Sequence, residues 1–290
     1  MSEDAPQVST VIVTHDSAEH LGACLASLRE ATRELACELV LVDNASRDRT
    51  IDIADEMFRT ATVIMNRENA GFAAACNQGA SRATGALLLF LNPDVVVDRG
   101  AVGALAEVFA RRADVGLAAG RVRNPDGSFQ ATCREFPTVR NLLFSRGSMF
   151  RWLFAQDEGA RSRYTLPDFA DETAVPAVAA TIVMARKELF ERLGGFDRRF
   201  FMYMEDTDLS LRAHAAGFVN LFVPQAGGVH HWGQGSRAGR ITRLRRHHVS
   251  VWRYFLKHFP NGFSVFVLPL LLAVNLAVAI LFAGGRSEAK

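Results

Sequence analysis

Cysteine is scarce: four residues in 290, at positions 24, 37, 76 and 133. Their separation leaves no CxxC pair for zinc and no dense disulfide framework, which points to reduced thiols inside a cell. Net charge is nearly absent as well, +2 from 33 Lys plus Arg against 31 Asp plus Glu. A nucleic-acid binder would carry an overall basic excess, so none is expected as a partner. No GxGxxG follows the first predicted strand and no GxxxxGKS/T occurs anywhere, which excludes the dinucleotide fingerprint and the phosphate-binding loop. Met1 to Gln7 is polar and lacks the basic and then apolar regions of a signal peptide. With 49% hydrophobic residues the chain is neither disordered nor fibrous, and its length suits one large α/β domain or two modest ones.

One stretch lacks charge entirely. Residues 262–285 are apolar and as a helix would extend roughly 36 Å, enough to cross a bilayer. Before it, Arg237, Arg240, Arg243, Arg245, Arg246, Arg253 and Lys257 are interleaved with Trp252, Tyr254 and Phe255, a composition suited to a cytoplasmic membrane interface. Membrane association is the reading preferred over a buried core helix, although Pro269 and Asn275 favour the latter.

What is present in the first hundred residues is alternation. Strands are predicted over Val8 to Val13, Glu38 to Val42, Thr62 to Met65 and Leu87 to Leu91, with helices over Ala18 to Arg33, Asp48 to Arg59 and Gly71 to Thr84. That pattern gives a parallel sheet covered by helices, with its ligand site at the strand C-termini. Thr14, His15, Asp16, Asp43, Asn44, Asn66 and the Asn92-Pro93-Asp94 turn fall there. Further on, a helix is predicted near Ala101 to Arg111, a strand near Gly116 to Gly120 and a turn at Asp126-Gly127. Residues 140–175 read as irregular. A strand over Ala177 to Met184, helices over Lys187 to Leu193 and Glu205 to Ala216, and a strand over Val219 to Pro224 complete this part.

Several groups could carry chemistry. Asp43 could accept hydrogen bonds from a ring N–H or a ribose hydroxyl, or could cap the helix beginning near Asp48. Asp94 could ligate a hard divalent cation bridging two phosphates, although turn chemistry also explains Asn-Pro-Asp. Glu205, Asp206 and Asp208 crowd a helix start after an aromatic, strand-like run; they either complement the helix dipole or leave one acid poised as a general base. His230 and His231 point to opposite faces of extended chain, so one of them is expected to enter a site.

Taken in order, VIVTHDS at 11–17, LVDNAS at 41–46, NRENAGFAAACNQG at 66–79, LFLNPDV at 89–95, the segment 193–218 and VHHWGQGS at 229–236 resemble glycosyltransferase family two. The likeness covers roughly residues 8–236 and is strongest to the bacterial rhamnosyltransferase-like branch that builds cell-wall, capsule or O-antigen saccharides on lipid carriers. It implies a GT-A type, Rossmann-like nucleotide-sugar-binding sheet flanked by helices in residues 1–236, with a nucleotide half to about residue 100 and an acceptor and catalytic half over 101–236. Residues 237–290 would add a basic juxtamembrane segment and an apolar membrane-associating helix, holding the protein at the cytoplasmic face of the plasma membrane.

By that resemblance the enzyme is inverting and uses a divalent cation, Mg²⁺ or Mn²⁺. Its donor is a nucleotide-diphosphate sugar, dTDP-rhamnose by preference, and its acceptor a polyprenyl-diphosphate-linked saccharide. Thr14 and Asp43 would contact base and ribose, with Asn69, Gly71 and Asn92 lining the remainder of the nucleotide-sugar site. Asp94 matches the last acid of a DxD-type metal motif whose first position is here Asn92, and His230, or less favourably His231, would complete the metal site. Asp206 would be the catalytic base, with Glu205 beside it tuning that base or binding acceptor. A polyprenyl-phosphate sugar synthase is the alternative enzyme; a noncatalytic membrane-bound scaffold or glycan-binding protein is the alternative outside catalysis.

Overall fold

The computed structural model describes residues 7–139, 141, 164–231, 239–262 and 264–284. Four parallel strands form its first half: β1 (Val8–Thr14), β2 (Cys37–Asp43), β3 (Thr62–Met65) and β4 (Leu87–Leu91). Helices α1 (Ala18–Ala31), α2 (Thr50–Met57) and α3 (Phe72–Arg82) make the crossovers. Each strand switches face residue by residue. Val8 and Ile12 join Leu21, Leu25 and Leu28 of α1 on one side of the sheet. On the other, Val11 and Val13 meet Ala73, Cys76 and Ala80 of α3. These boundaries follow the periodic reading to within two residues at each end.

The second half departs from a purely parallel sheet. It comprises β5 (Val95–Val97), α4 (Ala101–Arg111), β6 (Val115–Arg123), β7 (Phe129–Gln130), β8 (Cys133–Arg134), β9 (Thr173–Ala174), β10 (Ala177–Val178), β11 (Ile182–Arg186), α5 (Lys187–Arg192), α6 (Glu205–Ala215) and β12 (Val219–His230). The sheet order is β3-β2-β1-β4-β11-β6-β12-β5, with β7 on β6 and β9 on β12. Strand β11 runs antiparallel to both neighbours, β4 and β6, so the sheet is mixed.

Three local expectations are corrected. The strand predicted over Ala177 to Met184 is two strands: β10 pairs with β8 in a separate two-stranded sheet, and β11 returns to the main one. The strand predicted to stop at Pro224 continues to His230. Proline and two glycines are accommodated because the β6 pairing skips from Val223 to Gly227, and Gly120 lets Ala226 approach so closely that a Cβ there would lie 2.0 Å from its carbonyl oxygen. The aromatic run before α6 is a bend, with Tyr203 and Met204 at φ 69° and 71°. Two left-handed non-glycine residues in succession are costly, and their persistence shows that the surroundings over-determine the turn.

Two helices follow, α7 (Arg240–His258) and α8 (Ser264–Gly284). Val251, Tyr254 and Phe255 of α7 and Leu268 of α8 are buried together with Phe200 and Met204. The C-terminal pair is thus packed onto the bend that precedes α6. The apolar run does form a helix, continuous through Pro269. Among the described residues, however, no helix is long and apolar enough to cross a membrane.

Candidate active site

Where β1 and β2 end side by side, the chain places one acid under close control. Asp43 is almost wholly buried; its Oδ1 accepts from the Thr14 and Ser46 hydroxyls at 2.9 and 2.5 Å, and its Oδ2 from Ser46 N–H at 2.9 Å. Thr14, expected beside base and ribose, is itself fully enclosed, so its part is to hold Asp43. Capping of α2 falls instead to Asp48, whose Oδ1 accepts from the Thr50 N–H at 3.1 Å. Asn44, Asn66 and Gln78 form a chain of side-chain amides beneath the same edge.

Asn69 and Gly71 build the adjoining rim. Asn69 Oδ1 accepts from Gly71 N–H at 2.9 Å, and the Phe72 N–H donates to the Phe201 carbonyl at 2.8 Å. Gly71 has φ 86°, and a Cβ on it would lie 2.5 Å from that carbonyl oxygen. The glycine is therefore needed for close approach of the start of α3 to the bend leading into α6.

After β4, Asn92 turns the chain and Asp94 is buried against the end of β12. His230 Nε2 lies 3.1 Å from Asp94 Oδ1, and His230 Nδ1 lies 2.9 Å from Gln130 Oε1. With Nδ1–H donating to Gln130, Nε2 presents a lone pair toward a carboxylate oxygen. Two acceptors at that distance need a cation between them, a proton or a metal ion. Adjacent ligands about 2.1 Å from a six-coordinate Mg²⁺ or Mn²⁺ are about 3 Å apart, so the pair fits one edge of such a site. A second ring nitrogen engaged by an outer partner is the usual setting of a metal-binding histidine. Among the described residues no group of three or more His, Cys, Asp or Glu could hold an ion. His231, on the opposite face, stacks on His20 with ring centroids 5.1 Å apart.

The acid pair opens α6. Asp206 accepts from Thr207 N–H at 2.7 Å, the Thr207 hydroxyl at 3.2 Å and Ala180 N–H at 3.3 Å, with Arg134 Nη1 3.9 Å away. Donors and a guanidinium thus surround this carboxyl on several sides. Glu205 is the opposite: it is buried, and its Oε2 has no hydrogen-bond partner among the described residues. Burial first, and then the neighbouring Asp206 charge, hold the Glu205 carboxyl well above the usual carboxylate range, against the pull of Arg134. Of the two adjacent acids, Glu205 is thus the one that keeps its proton.

One loop unites these parts. Asn92 N–H donates to the Thr181 carbonyl at 3.1 Å, and the preceding residue, Ala180, donates to Asp206. The step that splits β10 from β11 thereby ties the Asn92-Pro93-Asp94 turn to the acid pair.

Residues that periodicity could not reveal complete the surroundings. Arg134 sits in a two-residue strand, and Tyr164 hydrogen-bonds with both Arg134 and Thr207. Tyr203 meets His247 of α7 with centroids 5.6 Å apart; burial, followed by His248 and Arg134, pushes His247 down to about 4. Asp208, two residues after Asp206, turns away from the site. It is fully buried and receives Lys257, His258 at 2.8 Å and Arg212 at 2.7 Å. Burial alone would raise its carboxyl, but these cations bring it below its ordinary value.

Comparison with known proteins accords with this geometry. The family described as Glycosyl transferase family 2 matches residues 9–194. An N-acetylglucosaminyl-diphospho-decaprenol L-rhamnosyltransferase of Mycobacterium tuberculosis is 29% identical over 257 residues, which cover 83% of this chain and 81% of that protein. An O-antigen biosynthesis protein of Myxococcus xanthus is 29% identical over 81% of this chain, but the match spans 18% of that longer protein. In fold, the chain is similar to a mannosyltransferase of Pyrobaculum calidifontis in complex with GDP-Man and Mn²⁺, with TM-score 0.60 at 20% identity, over 98% of this chain and 81% of that one. The mixed sheet with helices on both faces is thus of the GT-A type. With the family match extending over most of its length, this chain belongs to glycosyl transferase family 2 and is a glycosyltransferase.

Proposed function

We propose that the protein is an inverting, metal-dependent glycosyltransferase that moves L-rhamnose from dTDP-rhamnose to a hydroxyl of a polyprenyl-diphosphate-linked saccharide in cell-envelope polysaccharide synthesis. The observation that carries the reading is the 180–181 loop, which joins the Asp94 turn to Asp206 and so brings a leaving-group side and a base side together. The donor and acceptor classes follow the names of the relatives. Attachment to the cytoplasmic membrane face through residues 237–290 follows from an acceptor that resides in lipid.

In this scheme Asp43, fixed by Thr14 and Ser46, receives the nucleoside, while Asn69, Gly71 and Asn92 line the path to the diphosphate. Asp94 and His230 would hold a divalent cation, which when bound offsets the charge gathering on the departing nucleoside diphosphate. Asp206 takes the proton of the acceptor hydroxyl as that oxygen bonds to C1. The C1–O bond to the diphosphate breaks and the nucleotide leaves with the electron pair. Glu205, holding its proton, does not compete as base and can donate a hydrogen bond to an acceptor hydroxyl.

Nucleoside diphosphate release by the detergent-purified chain tests the reading, across dTDP-, UDP- and GDP-sugars, with Mg²⁺ or Mn²⁺, with and without lipid-linked saccharide. Metal-dependent, acceptor-stimulated release from dTDP-rhamnose is expected. Release stimulated by polyprenyl phosphate itself would favour the synthase, and none from any donor would overturn catalysis.

A further inference from the structure

Helix α7 has apolar side chains on two sides. One side faces the protein, with Val251, Tyr254 and Phe255 buried. Polar groups anchor that side: Lys257 reaches Asp197 and Asp208, His258 reaches Asp208, Ser250 donates to the Met202 carbonyl, and Arg246 lies 4.5 Å from the Phe201 ring centroid. On the other side Ile241, Val249, Trp252, Leu256 and, just past the helix end, Phe259 are all exposed, clustered in one stripe with Arg245 between them. A helix covered only by its own domain would carry polar residues along that outer stripe.

Helix α8 continues the theme. Leu268 is buried with Val251, Tyr254 and Phe255 of α7, and Asn275 hydrogen-bonds His248 at 3.1 Å, so one side is committed to its neighbour. On the other side Phe266 and Leu270 are 76% and 67% exposed, followed by Val274 and Ile280. The outer faces of the pair together form an apolar surface of the kind that marks an interaction site.

Charge selects the occupant. Helix α7 carries no acid; Arg246 and Lys257 are turned to the protein, but Arg245 and Arg253 are exposed, and α8 carries no charge at all. A second copy of the chain meeting this face across a two-fold axis would set arginines against arginines. An anionic bilayer complements both features, offering phosphate headgroups to the cations and acyl chains to the apolar stripe.

We propose that the outer faces of α7 and α8 form a monotopic membrane-embedding surface. Both helices lie in the plane of an anionic leaflet, and Trp252, Leu256, Phe259, Phe266 and Leu270 enter the acyl boundary. The inference deepens the lipid-acceptor reading above and rests on it for its purpose, but not for its test. Because Lys257 and His258 of α7 clasp Asp208, two residues from Asp206, the surface is joined rigidly to the helix that carries the proposed base.

The test uses the full chain with Trp152→Phe and Trp232→Phe, leaving Trp252 as the sole tryptophan, and vesicles of phosphatidylcholine with or without phosphatidylglycerol, in the absence of donor and acceptor. Expected are flotation with the anionic vesicles, a blue shift of Trp252 emission and its quenching by bromine on the upper acyl chain. Leu256→Asp with Phe266→Asp should weaken partitioning about tenfold or more, and Arg245→Glu about fivefold for anionic vesicles only. Unquenched Trp252, partitioning unchanged by the aspartates, or a stable dimer whose dissociation by the aspartates leaves vesicle binding intact would each overturn the surface. Transfer to a water-soluble acceptor by the aspartate variant is measured separately: its loss in wild type as well would sink the catalytic reading and leave the surface standing.

Discussion

Asp43 and Glu205 are both buried carboxylates at the rim of one site, and the chain treats them in opposite ways. Asp43 is surrounded by donors from Thr14 and Ser46, and its geometry is set before any ligand arrives. Glu205 has an oxygen with no partner among the described residues and an anionic neighbour, so it holds a proton. In the proposed scheme the nucleotide side would thus be satisfied in advance, whereas the acceptor side would retain unspent hydrogen-bonding capacity. A transferase that binds its donor firmly and must exchange a proton with its acceptor needs this division.

The contrast can be broken at several points. Asp206→Asn removes the proposed base and should lower transfer by about 10²- to 10⁴-fold while dTDP binding, measured by calorimetry, is kept. Asp43→Ala should do the reverse, losing nucleotide binding first. Gln130→Leu frees the outer nitrogen of His230, and should weaken Mn²⁺ affinity about 10- to 100-fold in a titration of the nucleotide-bound protein.

Smaller effects sharpen it. Asp208→Asn leaves Lys257 and Arg212 without their buried partner and should cost about 3 kcal/mol in denaturant unfolding. Since the Asp208 carboxyl is lowered in the folded protein, its stabilising contribution is present above the unfolded value, about 3.9, and disappears as pH falls through the folded one. Glu205 has the opposite sign. Its raised carboxyl binds more protons in the folded state, so wild-type stability declines as pH rises above about 4.3. Glu205→Gln removes that penalty, and its melting temperature should gain on wild type progressively with pH.

How far the sequence revealed all this differs between the same two regions. From β1 to β4 each element is encoded in its own residues: alternation in Val8 to Val13 and helical spacing in Leu21, Leu25 and Leu28 need no distant partner. The polar residues at the strand ends could therefore be located directly. Beyond β5 the structure depends on pairing. Pro224, Gly227 and Gly228 look like breakers, but Asp98 fills the space beside Gly227, Gly120 makes room for the Ala226 carbonyl, and the strand continues to His230. Arg134 lies in a two-residue strand and Tyr164 in a turn, neither with a periodic signal, and the division of β10 from β11 brings the Ala180 N–H to Asp206. Among three clustered acids no spacing rule separates Asp206 from Asp208; only α7 does, through Lys257 and His258. The basic stretch itself is visible in the sequence, but its helix and the outward turn of one apolar side are not, because that direction is set by the acids it docks against.

The central claim is a single displacement at C1 with a carboxylate base and no covalent sugar-enzyme intermediate. The anomeric configuration of the transferred sugar, read by NMR from product formed with dTDP-rhamnose, tests it most directly. Inversion relative to the donor is the result predicted; retention would contradict the mechanism and require a nucleophile that the Glu205-Asp206 pair was not assigned to be.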